Sequence, residues 1–556
     1  MKLKEKENRL RAAADKIINR KLFVFAVSAV FVLLASFYYY GLLCEYPPNG
    51  EEIQTIASAY SHLYLGTDFV VHDILYSLCA FFAACVGGMS YFAVRLCFTI
   101  LYAILLCGTI FLSMGCKKGQ GVKLYLLPLI ALLSVALYPI ADNATLFWDS
   151  GAEDLVYLWP YVYHYPARIY ALICLIIASL ATGCEKRNKK ILYSVILIVV
   201  CLYAIKATDL IYYIAFLCPA AIVLVLHLMR DDKWRKYVVY VFVGFMIALL
   251  LSRFAPISFV RQLWTKEAAH VYGTVYGGTN WISIDLLGEH LLSYVELIMM
   301  NFNIQMSGAP VISLHTVVYI CKILILIAGY VLMFHIVKCS ITGKCREYHY
   351  DCIDEIVAWS YLVVSCVYIF TGFGHVVFAR YFPIITTVMT ILICRNIEVF
   401  PRVVRVDFLH KIEYKRVLVF FSTMVLCLCN MGKVWTYHAP NEYDDDLRAI
   451  VGYIESTDLG YTVAPYWLYP RVSALSEGNV MAWETEGKVR YVFGEDAEAT
   501  YLITHNFFSA DDNTFTIYEH CDTYEEMCEY YSEPSDIIFF DKLQLVIYED
   551  GIKTKE

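Results

Sequence analysis

The sequence predicts an all-α polytopic membrane domain of about eleven transmembrane helices, followed by a small C-terminal α+β extracytoplasmic domain. Three observations carry this. Hydrophobic residues make up 59% of the chain, charged residues 17%, and the mean hydropathy is +0.56, a balance that excludes an ordinary soluble protein. Apolar runs long enough to cross a bilayer recur up to residue 432. The charge also divides. Residues 433–556 hold 25 acids against 8 bases, whereas residues 1–432 carry a basic excess. The chain therefore parts into a cytoplasmic tail (1–21), a transmembrane domain (22–432) and an acidic outer domain (433–556). A lipid bilayer is the expected partner, and no basic patch points to nucleic acid.

The apolar run 22–43 follows eight Lys and Arg residues with no small-x-small cleavage site after it, and so reads as a signal anchor. Further spans are expected at 91–114, 123–140, 167–183, 191–205, 209–229, 237–254, 312–337, 355–371, 381–395 and 417–432. Basic residues fall in alternate loops, near 115–123, 184–190, 230–236, 338–354 and 395–416, while loops 44–90 and 141–166 have none. The positive-inside rule then puts the N-terminus in the cytoplasm and the acidic domain outside. Residues 74–88 are apolar enough to span, but spanning would turn Lys117 and Lys118 outward. They are assigned to the interface on the outside. The outer loops are then 44–90, 141–166 and 255–310, the last containing a surface-lying helix, ISIDLLGEHLLSYVELIMM.

In the acidic domain, LRAIVGYIES and YEEMCEYY read as helices. YTVAPYW, KVRYVF, ATYLIT, TFTIYE, DIIFF and LQLVIYE alternate as strands. Asp444 to Asp446 read as solvated surface. Most of the 20 cysteines lie in apolar runs as small hydrophobes. Cys339, Cys345 and Cys352 lie near His349 in a spacing that fits no zinc pattern. Cys521 and Cys528 are either a disulfide or two thiols.

The stretch 44–73, CEYPPNGEEIQTIASAYSHLYLGTDFVVHD, holds five carboxylates and no Lys or Arg. Ile53, Ile56, Ala57, Tyr60, Leu63 and Tyr64 recur at helical spacing, with Glu51, Glu52, Thr55, Ser58 and His62 opposite. This is an interfacial helix, begun after Pro47–Pro48 and ended by Gly66. A capping box between Asn49 and Glu52 accounts for part of the acid pattern. The functional alternative is that Glu51 or Glu52 deprotonates an acceptor hydroxyl or steadies a metal at the membrane surface.

In the second loop Asp149, Glu153 and Asp154, with Asp142, would suit a divalent metal (Mg²⁺ or Mn²⁺) or acceptor orientation, or are a solvated loop. Trp148, Trp159 and His164 could contact sugar rings, or anchor the interface. Arg380, His375, Lys206 and Arg168, at the outer ends of helices, could hold phosphate, or snorkel to headgroups.

The first loop resembles that of GT-C glycosyltransferases, whose acidic motif opens an amphipathic helix that runs on to a Gly-Asp segment, here HLYLGTDFVVHD. FARYFPIITTVMTILI (378–393) resembles the Arg-Tyr-x-Pro stretch near a late helix of that family. The loop ADNATLFWDSGAEDLVYLWPYVYHYPARIY is similar to that of uncharacterised bacterial members, and YTVAPYWLYPRVSALSEGNV is similar to their outer domains. The resemblance implies sugar transfer from a polyprenyl-phosphate-linked donor to a glycan, lipid or protein acceptor at the outer face. The family's first motif acid is commonly the catalytic base. Here that position is Glu51, not Asp, which leaves the role open among Glu51, Glu52 and Glu45. The rival expectations are a transporter or flippase of lipid-linked glycans, which calls for charges deep in the spans, and a non-catalytic envelope assembly protein.

Overall fold

The computed structural model describes residues 21–44, 50–66, 74–114, 123–135, 165–184, 186–207, 212–230, 281–302, 304, 311–372, 384–403, 412–435, 444–457, 461–464, 468–484, 501–505, 528 and 533–548. These residues are mostly helical, with a small sheet near the C-terminus. In chain order the helices are α1 (Lys21–Cys44), α2 (Gly50–Leu65), α3 (Ile74–Gly87), α4 (Tyr91–Met114), α5 (124–135, opening as 3₁₀ and closing as π), α6 (Tyr165–Gly183), α7 (Arg187–Ala207), α8 (Tyr213–Arg230), α9 (Leu287–Asn301), α10 (Leu314–Thr342), α11 (Cys352–Phe370), α12 (Ile384–Asn396) and α13 (Ile412–Trp435). Helices α14 (Asp444–Glu455) and α15 (Tyr469–Leu475) accompany the sheet.

Among the described residues five helices are long and apolar enough to cross a membrane: Leu22–Cys44, Tyr91–Met114, Tyr213–Arg230, Thr316–Thr342 and Cys352–Phe370. Shorter apolar helices cover Ile74–Gly87, Leu124–Ser134, Ala167–Gly183, Ile384–Asn396 and Arg416–Cys429. Helix α7 covers residues 191–205 but is not among these apolar helices. The span expected at 237–254 lies outside the described residues.

Local chemistry sets the ends of these helices. Asp351 caps α11 by accepting from the Ile353 and Asp354 amides at 3.0 Å each, while Asp354 accepts from the Asp351 amide at 3.0 Å, a complete capping box. Ser313 caps α10, and Gly343 (φ +77°) closes it in the left-handed conformation. Packing brings backbones close where side chains are small. A Cβ on Gly329 of α10 would collide with the Met389 sulfur of α12. On α1 and α4, Tyr39 and Tyr102 stack at 4.1 Å between centroids.

Two ends of the bundle can be told apart. At one, Arg395 on α12 donates to the Leu112 carbonyl and pairs with Asp351 and Asp354. Lys123 pairs with Glu398 at 3.4 Å, and Gly343 abuts Arg230. At the other lie the turn at Gly88, helix α2, and the Trp281–Thr371 bridge.

The sheet has the order β2 (Met481–Glu484), β1 (Tyr461–Ala464), β3 (Tyr501–His505), β5 (Leu543–Ile547), β4 (Asp536–Phe539). β1 runs parallel to β2 and β3, while β5 is antiparallel to β3 and β4. The connection from β1 to β2 runs through α15, as a parallel pair requires a crossover. Leu447, Ile450 and Ile454 of α14 and Val472 of α15 share a core with Ile503, Leu543 and Leu545 of the sheet. The strands at 461–464, 501–505, 536–539 and 543–547 fall in segments expected as strands, and α14 in the first expected helix. KVRYVF, TFTIYE and most of YEEMCEYY lie outside the described residues. Helix α15 and strand β2 were not expected. Asp446 is not solvated surface: it is buried and its carboxylate accepts from the Lys542 and Leu543 amides at 2.7 and 3.0 Å. The carboxylate thereby satisfies two backbone donors at the start of β5.

Candidate functional site

Helix α2 carries Glu51 and Glu52 in its first turn and ends at Gly66, whose φ of +71° supplies the left-handed stop. Ile53, Ile56 and Ala57 are buried, as the spacing requires, and Tyr64 is exposed. The helix is nonetheless covered on more than its apolar stripe. Ser58, Ala59 and Ser61 are also buried, which corrects the expectation of a polar side open to water at Ser58. Helix α3 packs along one flank and α15, from the C-terminal domain, along another. Ala474 of α15 belongs to the bundle core, and the half-buried Leu475 touches both that core and the core of the sheet. Tyr60 is the hinge-pin of this arrangement. Its ring lies against Gly88, at the α3–α4 turn, and against Gly478, just after α15. Both glycines have positive φ, +62° and +90°.

The two ends of the acidic stretch are held by residues of other helices. At its start, Arg95 on α4 donates from Nε to the Leu43 carbonyl at 3.0 Å and from Nη2 to the Cys44 carbonyl at 3.4 Å. Its guanidinium also lies 5.4 Å from the Tyr91 ring centroid. A cation here answers both the unpaired carbonyls and the negative dipole end of α1. At the far end, the Ile74 amide donates to the Tyr203 hydroxyl at 3.0 Å, and Tyr203 meets Tyr170 edge-on at 5.4 Å. Tyr170 lies within a turn of Arg168 on α6, and Tyr203 within a turn of Lys206 on α7. Two of the expected basic residues thus belong to helices that meet where the acidic stretch ends. Arg168 is nine-tenths buried.

Glu45, Trp148, Asp149, Glu153, Asp154, Trp159, His164, His375 and Arg380 lie outside the described residues. Among the described residues no group of three or more His, Cys, Asp or Glu is arranged to hold a metal ion. Cys339 and Cys345 are buried beside a set of hydrogen-bonded side chains. His335 Nδ1 lies 3.0 Å from the Tyr350 hydroxyl, and Glu355 accepts from Ser340 at 2.6 Å and meets His227 at 2.9 Å.

Arg95 escaped the sequence reading because it sits five residues into an apolar span. The signal available was its position: it is the first cation after a base-free loop that begins at the end of α1.

No known family model matches this chain, and no curated protein matches it.

Proposed function

We propose that the chain is an integral membrane glycosyltransferase that moves a sugar from a polyprenyl-phosphate-linked donor to a glycan, lipid or protein acceptor at the extracytoplasmic face. The observation that carries this reading is the placement of α2. Its acid-bearing first turn opens a helix held between the membrane bundle and the C-terminal domain. A lipid-borne donor reaches such a place from the bundle side and a soluble acceptor from the domain side. In the proposed reaction a carboxylate, Glu51 or its neighbours Glu52 and Glu45, takes the proton of an acceptor hydroxyl. The oxygen attacks the anomeric carbon and the bond to the lipid phosphate breaks. Cationic groups such as Arg380, Arg168 and Lys206 would hold the departing phosphate.

A transporter calls for charges strung along a central path. Among the described residues, the buried Arg395, Asp354 and Glu355 are gathered at one end of the bundle, and the buried Arg168 lies near the other. Lys322 on α10 is buried and donates to the Phe302 carbonyl at 2.8 Å, where it closes the C-terminal end of α9.

The test is sugar release by the purified protein in lipid, from a panel of radiolabelled polyprenyl-phosphate sugars, with and without Mg²⁺ or Mn²⁺. Release from one donor that is lost in Glu51→Gln supports the reading. No release from any donor by folded protein overturns it in favour of a transporter or an assembly protein.

A further inference from the structure

Helix α9 leaves a row of large apolar residues uncovered. His290, Tyr294, Leu297, Ile298 and Asn301 are on its buried side, whereas Leu291, Leu292 and Val295 are exposed, Leu292 at 64%, with Glu289 of the first turn also exposed. A helix covered by water would not present so large an apolar row to it. The segment leading into it continues the pattern, with Trp281 81% and Ile284 88% exposed.

Three contacts set the level of α9 along the bundle. Helices α10 and α11 share the turn 343–351, so distance from that turn is a common ruler, at about 1.5 Å per residue. The Ile282 amide bonds the Phe370 carbonyl at 3.1 Å, and Trp281 bridges Thr371, roughly 27 Å along α11. Lys322 bonds the Phe302 carbonyl, roughly 30 Å along α10. Between these ends the Tyr294 hydroxyl reaches to Ser365 at 2.5 Å and Tyr330 at 3.0 Å, both roughly 20 Å along their helices. Both ends of α9 are therefore at one height, and only a long side chain from its middle descends. The helix lies across the bundle, near the far boundary of a hydrocarbon layer about 30 Å thick. The exposed row of α10, with Val317, Ile320 and Leu324, passes through the same height. Glu296 fits a site short of water, since burial pushes its carboxyl above the usual range.

We infer that residues 281–301 are a lipid-inserted element. Helix α9 lies in the bilayer boundary, at the end of the bundle opposite the 343–351 turn, with Leu291, Leu292 and Val295 seated among acyl chains and Trp281 anchoring the approach. The occupant of this face is the acyl-chain region of that leaflet, because the exposed apolar residues of α9 stand at the same height along the bundle as the exposed apolar row of α10. It is not a second copy of the chain or the C-terminal domain.

The experiment uses the full-length protein in nanodiscs of phosphatidylethanolamine and phosphatidylglycerol. A photoreactive p-benzoylphenylalanine replaces Ile284, Leu292, Leu324 or Tyr453, one at a time, and adducts are identified by mass after irradiation. Lipid adducts are expected at 284 and 292 as at 324, the lipid-facing reference, and none at 453 in the C-terminal domain. Lipid adducts at 324 with none at 284 and 292 overturn the inference. So do adducts at 284 and 292 with a second copy of the chain. Leu292→Asp supplies an independent reading: a lowered unfolding temperature in nanodiscs supports insertion, and an unchanged or raised one opposes it.

Discussion

The Tyr60 ring lies on Gly478, so that a Cβ at position 478 would meet the phenol oxygen at 3.2 Å and two ring carbons at 3.4 Å. This is where the helix bearing the acid pair touches the C-terminal domain. Gly478 also has φ +90°, a conformation that costs a side-chain-bearing residue about 1–3 kcal/mol. Gly478→Val is expected to lower stability by about that amount and to loosen the domain from α2, read as faster proteolytic release of the C-terminal domain. In a Tyr60→Ala background the contact part of the penalty should vanish while the backbone part remains, a difference that a double-mutant cycle measures. Equal penalties in both backgrounds would show that the ring contact contributes nothing.

Arg395 and Asp354 are a buried pair at 2.8 Å, with Asn396 as a second donor to Asp354 at 3.1 Å. Arg395→Leu strands the Asp354 carboxylate and is expected to cost about 3–5 kcal/mol. Arg395→Lys should rescue little, because Lys cannot reach Asp354, Asp351 and the Leu112 carbonyl together. Thermal unfolding in lipid measures both. The Asp351 bond contributes less, since that residue is half exposed.

Glu398 accepts from the Tyr125 hydroxyl at 2.8 Å and pairs with Lys123 and Arg416, each at 3.4 Å. Burial pushes its carboxyl up, but Lys123, Tyr125 and Arg416 together hold it below the ordinary value of 4.5. Because the folded pKa is the lower one, the stabilisation is present above that ordinary value and is lost as pH falls through the folded pKa. The gap in unfolding temperature between the wild type and Glu398→Gln should therefore be full near neutrality and close in acid below pH 4.5. A gap that widens on acidification would contradict this assignment.

For the proposed transfer reaction, loss of the base should lower the rate by about 10²–10⁴-fold. Glu51→Gln and Glu52→Gln, assayed separately at saturating donor, distinguish which acid does the work. Near-normal rates in both single variants and in the double variant would remove the first turn of α2 from the chemistry. Arg95→Met makes a useful companion. The described hydrogen bonds of Arg95 go to backbone at the end of α1 and its guanidinium lies over the Tyr91 ring, so the substitution should raise KM or lower stability more than it lowers the rate at saturation.

Helix α2 was legible because one apolar face at a period of 3.6 and a terminal glycine are local features. The strands at 461–464, 501–505, 536–539 and 543–547 were legible as short runs rich in β-branched, aromatic and other apolar residues, again a local feature. Helix α15 was not, because Tyr469–Leu475 is short, begins beside a proline, and gains its buried positions only by docking on α2 and the sheet at once. The burial of Ser58 and Ser61 was hidden because it arises from tertiary packing of α2 against other helices, which a local pattern does not carry. Asp446 looked like surface because an acidic run usually is. Its role appears only when β5 brings two amides to it. For the site, the acid-bearing turn could be read directly, whereas Arg95 could not, since an arginine near the start of an apolar span looks like an edge of that span.

The covering of α2 by α15 has a consequence for biosynthesis. The bundle helices that flank α2 are made early, but α15, which packs on α2, and Gly478, which meets Tyr60, leave the ribosome only after the last bundle helix, α13. During synthesis the acid-bearing helix is therefore half-clad, and its final surroundings form in one late event on the far side of all the membrane insertions. Pulse-labelled chains should show residues 50–66 becoming protease-resistant only once residues beyond 478 have emerged, which makes the completed C-terminal domain a checkpoint for a finished first loop.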